Sequence, residues 1–252
     1  MNPLKLNVYD LPTVDNVCNQ ILREVSLPFS DVSMAHVSMG IGNTSLMHKH
    51  ESMEEIYYIL KGEGVLCVGE GSYKVGKGSY LEIPKNTPHM LSNLGQGILE
   101  HLVFACPPFN PDDVHMVDFE ANPAIEVLDN RREAVEAQDG AIVYELDDME
   151  TRSRRRFGLA SGVLPKGKRA IPHYHRRADE VYYVIDGGGN INLNGSRSMV
   201  IPGMVVFVPR GVVHGLESSN EALEVLCLSC PDYDDGDMFV PERVLDSIKP
   251  IS

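Results

Sequence analysis

Short apolar runs broken by glycine-rich turns dominate the chain. From residue 32 to residue 41 apolar positions alternate with small or polar ones, the period of a half-buried strand. IYYIL, VLCVG, SYKVG and SYLEIP follow, separated by KGEG, EG and GKG. Glycine supplies the positive φ that tight hairpin turns need. The pattern therefore predicts many short strands and an all-β sandwich or barrel. ILEHLVFACPPF and ALEVLCLSCPDY read as closing strands, and both end in Cys-Pro. Proline suits a strand end because it donates no ladder hydrogen bond. KLNVYD at 5–10 and AIVYEL at 141–146 read as further strands. Three stretches read as short helices: residues 13–24, residues 122–140 with Asn122 and Pro123 as cap and first turn, and the end of the tail after PDYDDGD.

The order then repeats. Gly42, Gly62, Gly78 and Pro84 recur as Gly167, Gly187, Gly203 and Pro209, each 125 positions later. A fixed long period sets the architecture. It predicts an N-terminal domain over 1–114, a helical connector over 115–140 and a C-terminal domain over 141–252. His48, His50, Glu55 and His89 recur at the same offset as His173, His175, Glu180 and His214. Residues two apart on a strand share a face, so each H-x-H aims two imidazoles one way. The carboxylate lies past a turn on the next strand, and the fold must bring back the last histidine. Glu54 and Asp179 are rival carboxylates. Glu55 and Glu180 are preferred because each precedes its glycine, Gly62 or Gly187, by seven positions. Three imidazoles and a carboxylate suit a divalent transition metal (iron, manganese, nickel or zinc), one per domain. Four protein ligands leave about two positions on a six-coordinate ion, as a working site requires.

Both halves resemble cupin domains. Gly42, His48, His50, Glu55 and Gly62 match the first cupin motif, as do Gly167, His173, His175, Glu180 and Gly187. Gly78, Pro84, His89 and Asn93 match the second, with Asn86 in place of a glycine. Gly203, Pro209, Gly211 and His214 match it too, with Ser218 in place of an asparagine. The resemblance covers most of the chain. It implies a bicupin: two tandem double-stranded β-helix (jelly-roll) barrels with short flanking helices, each holding a metal through three His and one Glu. Members of the family include dioxygenases, decarboxylases, lyases, isomerases, aminohydrolases and metal-free storage proteins. The expected function is a metal-dependent dioxygenase-type oxidoreductase acting on a small organic molecule. A non-redox enzyme with the metal as Lewis acid, and a non-catalytic sensing bicupin, are the alternatives. Tyr57 and Tyr182 lie two positions after the metal glutamates, on the same strand face. Each is a candidate general acid or base, or a wall residue.

Charge adds a partner class. A net charge of −14 argues against nucleic acid or an anionic membrane as main partner. No apolar run reaches the ~20 residues of a membrane span. The start MNPLKLNVYD lacks a basic stretch followed by an apolar core, so a cytoplasmic protein is expected. Five scattered cysteines predict buried thiols, not a disulfide framework. Residues 151–177 hold nine Lys and Arg and no Asp or Glu. Arg176 and Arg177 follow the second H-x-H, and Arg210 precedes His214. These three are the candidate substrate-binding residues, with a carboxylate the simplest anion. His36 is a candidate second-layer donor to the first site. Tyr58 and Tyr183, read as outward-facing, suggest a homodimer contact.

Overall fold

The structure is a computed structural model, and it describes residues 3–27, 31–119, 124–128, 133–146 and 157–242. Two compact units emerge: Tyr9–Arg131, and Arg132–Ser252 together with Met1–Val8. The first eight residues, expected in the N-terminal domain, thus join the second unit. Strand Leu4–Asn7 pairs antiparallel with Met204–Val208. The division between units falls inside the expected connector.

The first unit is two six-stranded sheets. One sheet places Glu54–Lys61 between Leu99–Cys106 and Tyr80–Ile83. The other places His89–Ser92 between His48–Lys49 and Glu63–Val68. Leu22, Val37, Met39, Ile59, Leu66 and Leu91 fill the space they enclose. The second unit repeats the plan. Asp179–Asp186 lies between Leu223–Cys230 and Met204–Val208, and Gly189–Leu193 pairs with His214–Ser218. Leu164, Val184, Ile191, Val206 and Leu216 form its core. The all-β jelly-roll expectation holds in both halves.

Glycine is required where the metal-bearing strand turns back. Gly62 and Gly187 have φ of 84° and 72°. A Cβ would sit 2.6 Å from the Ile98 carbonyl oxygen at Gly62 and would run into the Ala222 carbonyl oxygen at Gly187. Asn86, which stands where glycine is usual, also adopts positive φ (61°), which asparagine tolerates. Ser218, which replaces an asparagine, donates to the Pro165 carbonyl oxygen and accepts from Lys168 N.

The helices are corrected. Among the described residues the flanking pieces are 3-10 turns: Val8–Asp10, Pro111–Asp113 and Asp235–Asp237. Residues 13–24 form strands Val14–Asp15 and Ile21–Val25, which pair with each other. Asn16 accepts from Cys18 N and Gln20 N, an Asx turn that competes with helix. In the connector, Ile125–Val127 pairs parallel with Gly71–Gly76, and Ala134–Glu136 pairs with Ile142–Glu145. Edge pairing overrides the helical propensity of its Ala and Glu. Asn122, Pro123, residues 151–156 of the cationic segment and the tail's helix lie outside the described residues.

Candidate metal centres

Strand pairing assembles each ligand set. His89 lies directly opposite His48, and His173 bridges to His214. His50 and His175 follow along their chain segments, and Glu55 and Glu180 enter from the adjacent long strands. All eight side chains are buried. In each set the four donor atoms lie within 4.8 Å of one another.

Backbone carbonyls aim the imidazoles. Nδ1 of His48, His50 and His89 lies 2.7, 3.0 and 3.1 Å from the carbonyl oxygens of Leu46, Asp113 and Thr87. In the second centre the partners are Ile171, Asp237 and Val212, at 2.9, 3.1 and 2.9 Å for His173, His175 and His214. A carbonyl accepts only from N–H, so Nε2 carries the lone pair into the site. Nε2 of His50 and of His175 is buried without a hydrogen bond, which a metal would remedy. Glu55 Oε2 is 3.1 Å from His89 Nε2, and Glu180 Oε2 is 2.8 Å from His214 Nε2. The donor set fits a first-row divalent ion, and the chain carries two such metal sites, one per domain.

Burial alone would raise the Glu55 and Glu180 carboxyls. The neighbouring His50 and His89, and His214, outweigh it and hold both well below the usual range. Burial pushes His48 and His173 down to about 4. Burial also opposes charge on His50 and His214, but Glu55 and Glu180 overcome it and raise both. In chelator-treated protein these imidazolium–carboxylate pairs therefore stabilise the fold between the two sets of values. The carboxylate share is lost as pH falls through the lowered Glu values. The histidine share is complete below the unfolded histidine value and lost as pH rises through the raised ones. Between about pH 4 and pH 7 the neutral His48 and His173 work the other way, because only the unfolded chain takes up their protons there, so the test lies above that range: the chelated protein should lose stability as pH rises from about 7 to about 9. Metal affinity should climb over the same interval, because the ion displaces those protons. Flat profiles in both assays would refute this assignment.

Two aspartates missed in the sequence hold the turns that carry the ligands. Asp113 accepts from the backbone N–H of Glu51, Ser52 and Met53, and Asp237 from Arg176, Arg177 and Ala178. Their own carbonyls orient His50 and His175. They are 124 positions apart, the offset that also relates Cys106-Pro107 to Cys230-Pro231.

Tyr182 Oη donates to Glu180 Oε2 at 3.0 Å and lies 3.2 Å from His214 Nε2. The Tyr57 ring meets His89 edge-on at 6.0 Å. Burial, then the adjacent glutamate, raises both phenols, so both keep their protons. Cys227, read as a structural thiol, donates to Glu180 Oε1 at 3.6 Å. His36 pairs with Glu100 (3.6 Å) rather than with the centre. Tyr58 and Tyr183 are 2% and 3% exposed, so the expected outward contact is not available to a partner.

The three arginines do not converge on the second centre. Arg176 stacks over Phe239 at 4.0 Å. Arg177 pairs with Asp234 and Asp237. Arg210 forks onto Asp179 through Nε and Nη2, at 3.1 and 2.7 Å. Nearness in sequence to a ligand placed them beside the turn but outside the site. A cavity of about 410 Å³ instead reaches His173, Glu180 and Tyr182, lined by Leu159, Gly162, Leu164 and Val225 and by the carboxylates Glu136, Asp139 and Glu145.

Comparison with known proteins agrees with this geometry. The cupin domain model matches residues 35–104 and again 161–229. Quercetin 2,3-dioxygenase of Bacillus subtilis is 25% identical over 244 residues, covering 77% of this chain and 72% of that protein. An uncharacterised protein of Methanocaldococcus jannaschii is 36% identical over 106 residues, 42% of this chain and 85% of its own. Among solved structures, oxalate decarboxylase of Bacillus subtilis superposes with a TM-score of 0.71 at 17% identity, over 99% of this chain and 83% of that one. Another study of that enzyme concerns its Mn(II) centres. With a matching domain in each half and a complete ligand set in each, the chain belongs to the cupin domain family as a bicupin.

Proposed function

We propose that the chain is a metal-dependent, dioxygenase-type enzyme for a small organic substrate, with the second barrel as its working chamber. The observation that carries this is the cavity of about 410 Å³ that ends on His173, Glu180 and Tyr182. The volume suits a small molecule, and the walls are mainly apolar. A redox-active ion held by the four ligands would offer adjacent positions for a substrate oxygen and for O₂. Glu180 stays anionic and can accept a proton from a substrate hydroxyl. Tyr182 keeps its proton and hydrogen-bonds that carboxylate. Leu159, Leu164 and Val225 exclude water from the reacting atoms. The quercetin dioxygenase relative supports the oxygenase class.

The second reading is a non-redox enzyme in which Tyr182 carries the proton and the metal acts as Lewis acid. It is favoured by the short contact of the phenol with Glu180. An oxygen electrode separates the two. Iron- or manganese-loaded protein should consume O₂ with enol, diketone or catechol substrates. Turnover by zinc-loaded protein without O₂ would overturn the oxygenase reading.

A further inference from the structure

The two barrels differ at matched positions inside. Val225 pairs with Gly162 and Val184, and His101 pairs with Val37 and Ile59. Gly162 and Val184 follow Val37 and Ile59 by 125 positions, so Val225 stands where the first barrel has His101. The turn before each barrel matches as well. Asn16 N donates to the Gln20 carbonyl and Leu46 N to that of Cys18. Ala137 N donates to the Ala141 carbonyl and Ile171 N to that of Asp139. Gly162, Val225 and Ala141 therefore replace Val37, His101 and Gln20, and each replacement is smaller or less polar. Each of these three exchanges removes side-chain volume, and all three residues line the cavity of the second barrel.

Its charge is one-sided. Among the described residues the lining holds six carboxylates and no Lys or Arg. Asp139 accepts from Ala141 N, and its charge is felt at His173, Tyr182 and His214. The metal ion at the cavity's end would attract a carboxylate and a chelating diol alike, so the described lining decides between them: a carboxylate would lose water and meet like charge there. A hydroxyl would find acceptors.

We infer that the second chamber takes an uncharged, mainly apolar molecule bearing hydroxyl groups and rejects carboxylates, with Gly162 and Val225 setting its size. This rests on the second centre being the working site. It is tested on zinc-loaded protein by fluorescence titration with two chelators of one shape, 2,3-dihydroxynaphthalene and 3-hydroxy-2-naphthoate. The neutral diol should bind at least about tenfold more tightly. Gly162→Val, which installs the first barrel's residue with its Cβ only 3.4 Å from Val225 Cγ2, should cost about tenfold in diol affinity while both zinc ions are retained. Val225→His serves the same end if the first variant folds poorly. Equal or tighter naphthoate binding would overturn the inference, as would diol binding that both variants leave unchanged. Diol binding without oxygen uptake by the iron- or manganese-loaded protein would sink the oxygenase reading alone.

Discussion

Replacing His89 or His214 by alanine should each remove one of two metal ions per chain, and replacing both should leave the protein metal-free. Each histidine belongs to a separate four-donor set, in a separate unit. His89 is fully buried and His214 is 2% exposed, so no outside group can take the vacated place without rearrangement. Three donors remain in each variant, and one of them, Glu55 or Glu180, loses its nearest imidazole. That carboxylate is then buried with one imidazole fewer to hold its charge, which favours its protonation and further weakens metal binding. Elemental analysis of the purified variants reads the stoichiometry directly. Thermal unfolding gives a second readout. Ion at a hundredfold excess over Kd stabilises by about 2.7 kcal/mol, and that gain should vanish in the double variant. A double variant that still holds stoichiometric metal, or single variants that hold two ions, would overturn the ligand assignment.

The ligands were legible because metal binding constrains both residue type and spacing, and a duplicated chain states the constraint twice. Asn86 shows how a departure from the motif can be harmless: asparagine reaches the same positive φ as the glycine it replaces. Asp113 and Asp237 were legible in principle. They keep the 124-position offset of the Cys-Pro pairs, but nothing in their spacing to the histidines marks them, because they act through backbone N–H groups on a distant turn. The arginines misled because charge was judged by nearness along the chain. Arg177 and Arg210 are held by Asp234 and Asp179, carboxylates that flank the site rather than line it. The cavity was not legible at all. Its walls include residues smaller than their counterparts, Gly162 against Val37 and Val225 against His101, on strands more than sixty residues apart, and no local pattern marks such differences. The connector was misread because local propensity is a weak guide where a short segment can pair with a sheet edge.

Asp237→Ala should weaken the second centre while leaving every ligand in place. The carboxylate accepts from three successive backbone N–H groups, Arg176, Arg177 and Ala178, and pairs with the Arg177 guanidinium at 3.4 Å. The carbonyl of the same residue fixes His175 Nδ1. Asp237 thus holds both the turn after the H-x-H and the orientation of its second imidazole. Removing the side chain strands those N–H groups beside a largely buried site, at a cost on the order of 3 kcal/mol. The main-chain carbonyl that meets His175 Nδ1 remains, but the turn that positions it loosens, and loss of such supporting contacts lowers metal affinity about 10- to 100-fold. The effect is measured in the His89→Ala background, where only the second centre loads, by competition with a chromophoric chelator. Asp237→Asn keeps one acceptor oxygen of two and should fall between wild type and alanine. Asp113→Ala, tested in the His214→Ala background, should reproduce the loss at the first centre, because Asp113 makes the same contacts to Glu51, Ser52 and Met53. If both alanine variants bind metal as tightly as their parents, backbone geometry rather than these two carboxylates sets the ligand orientation.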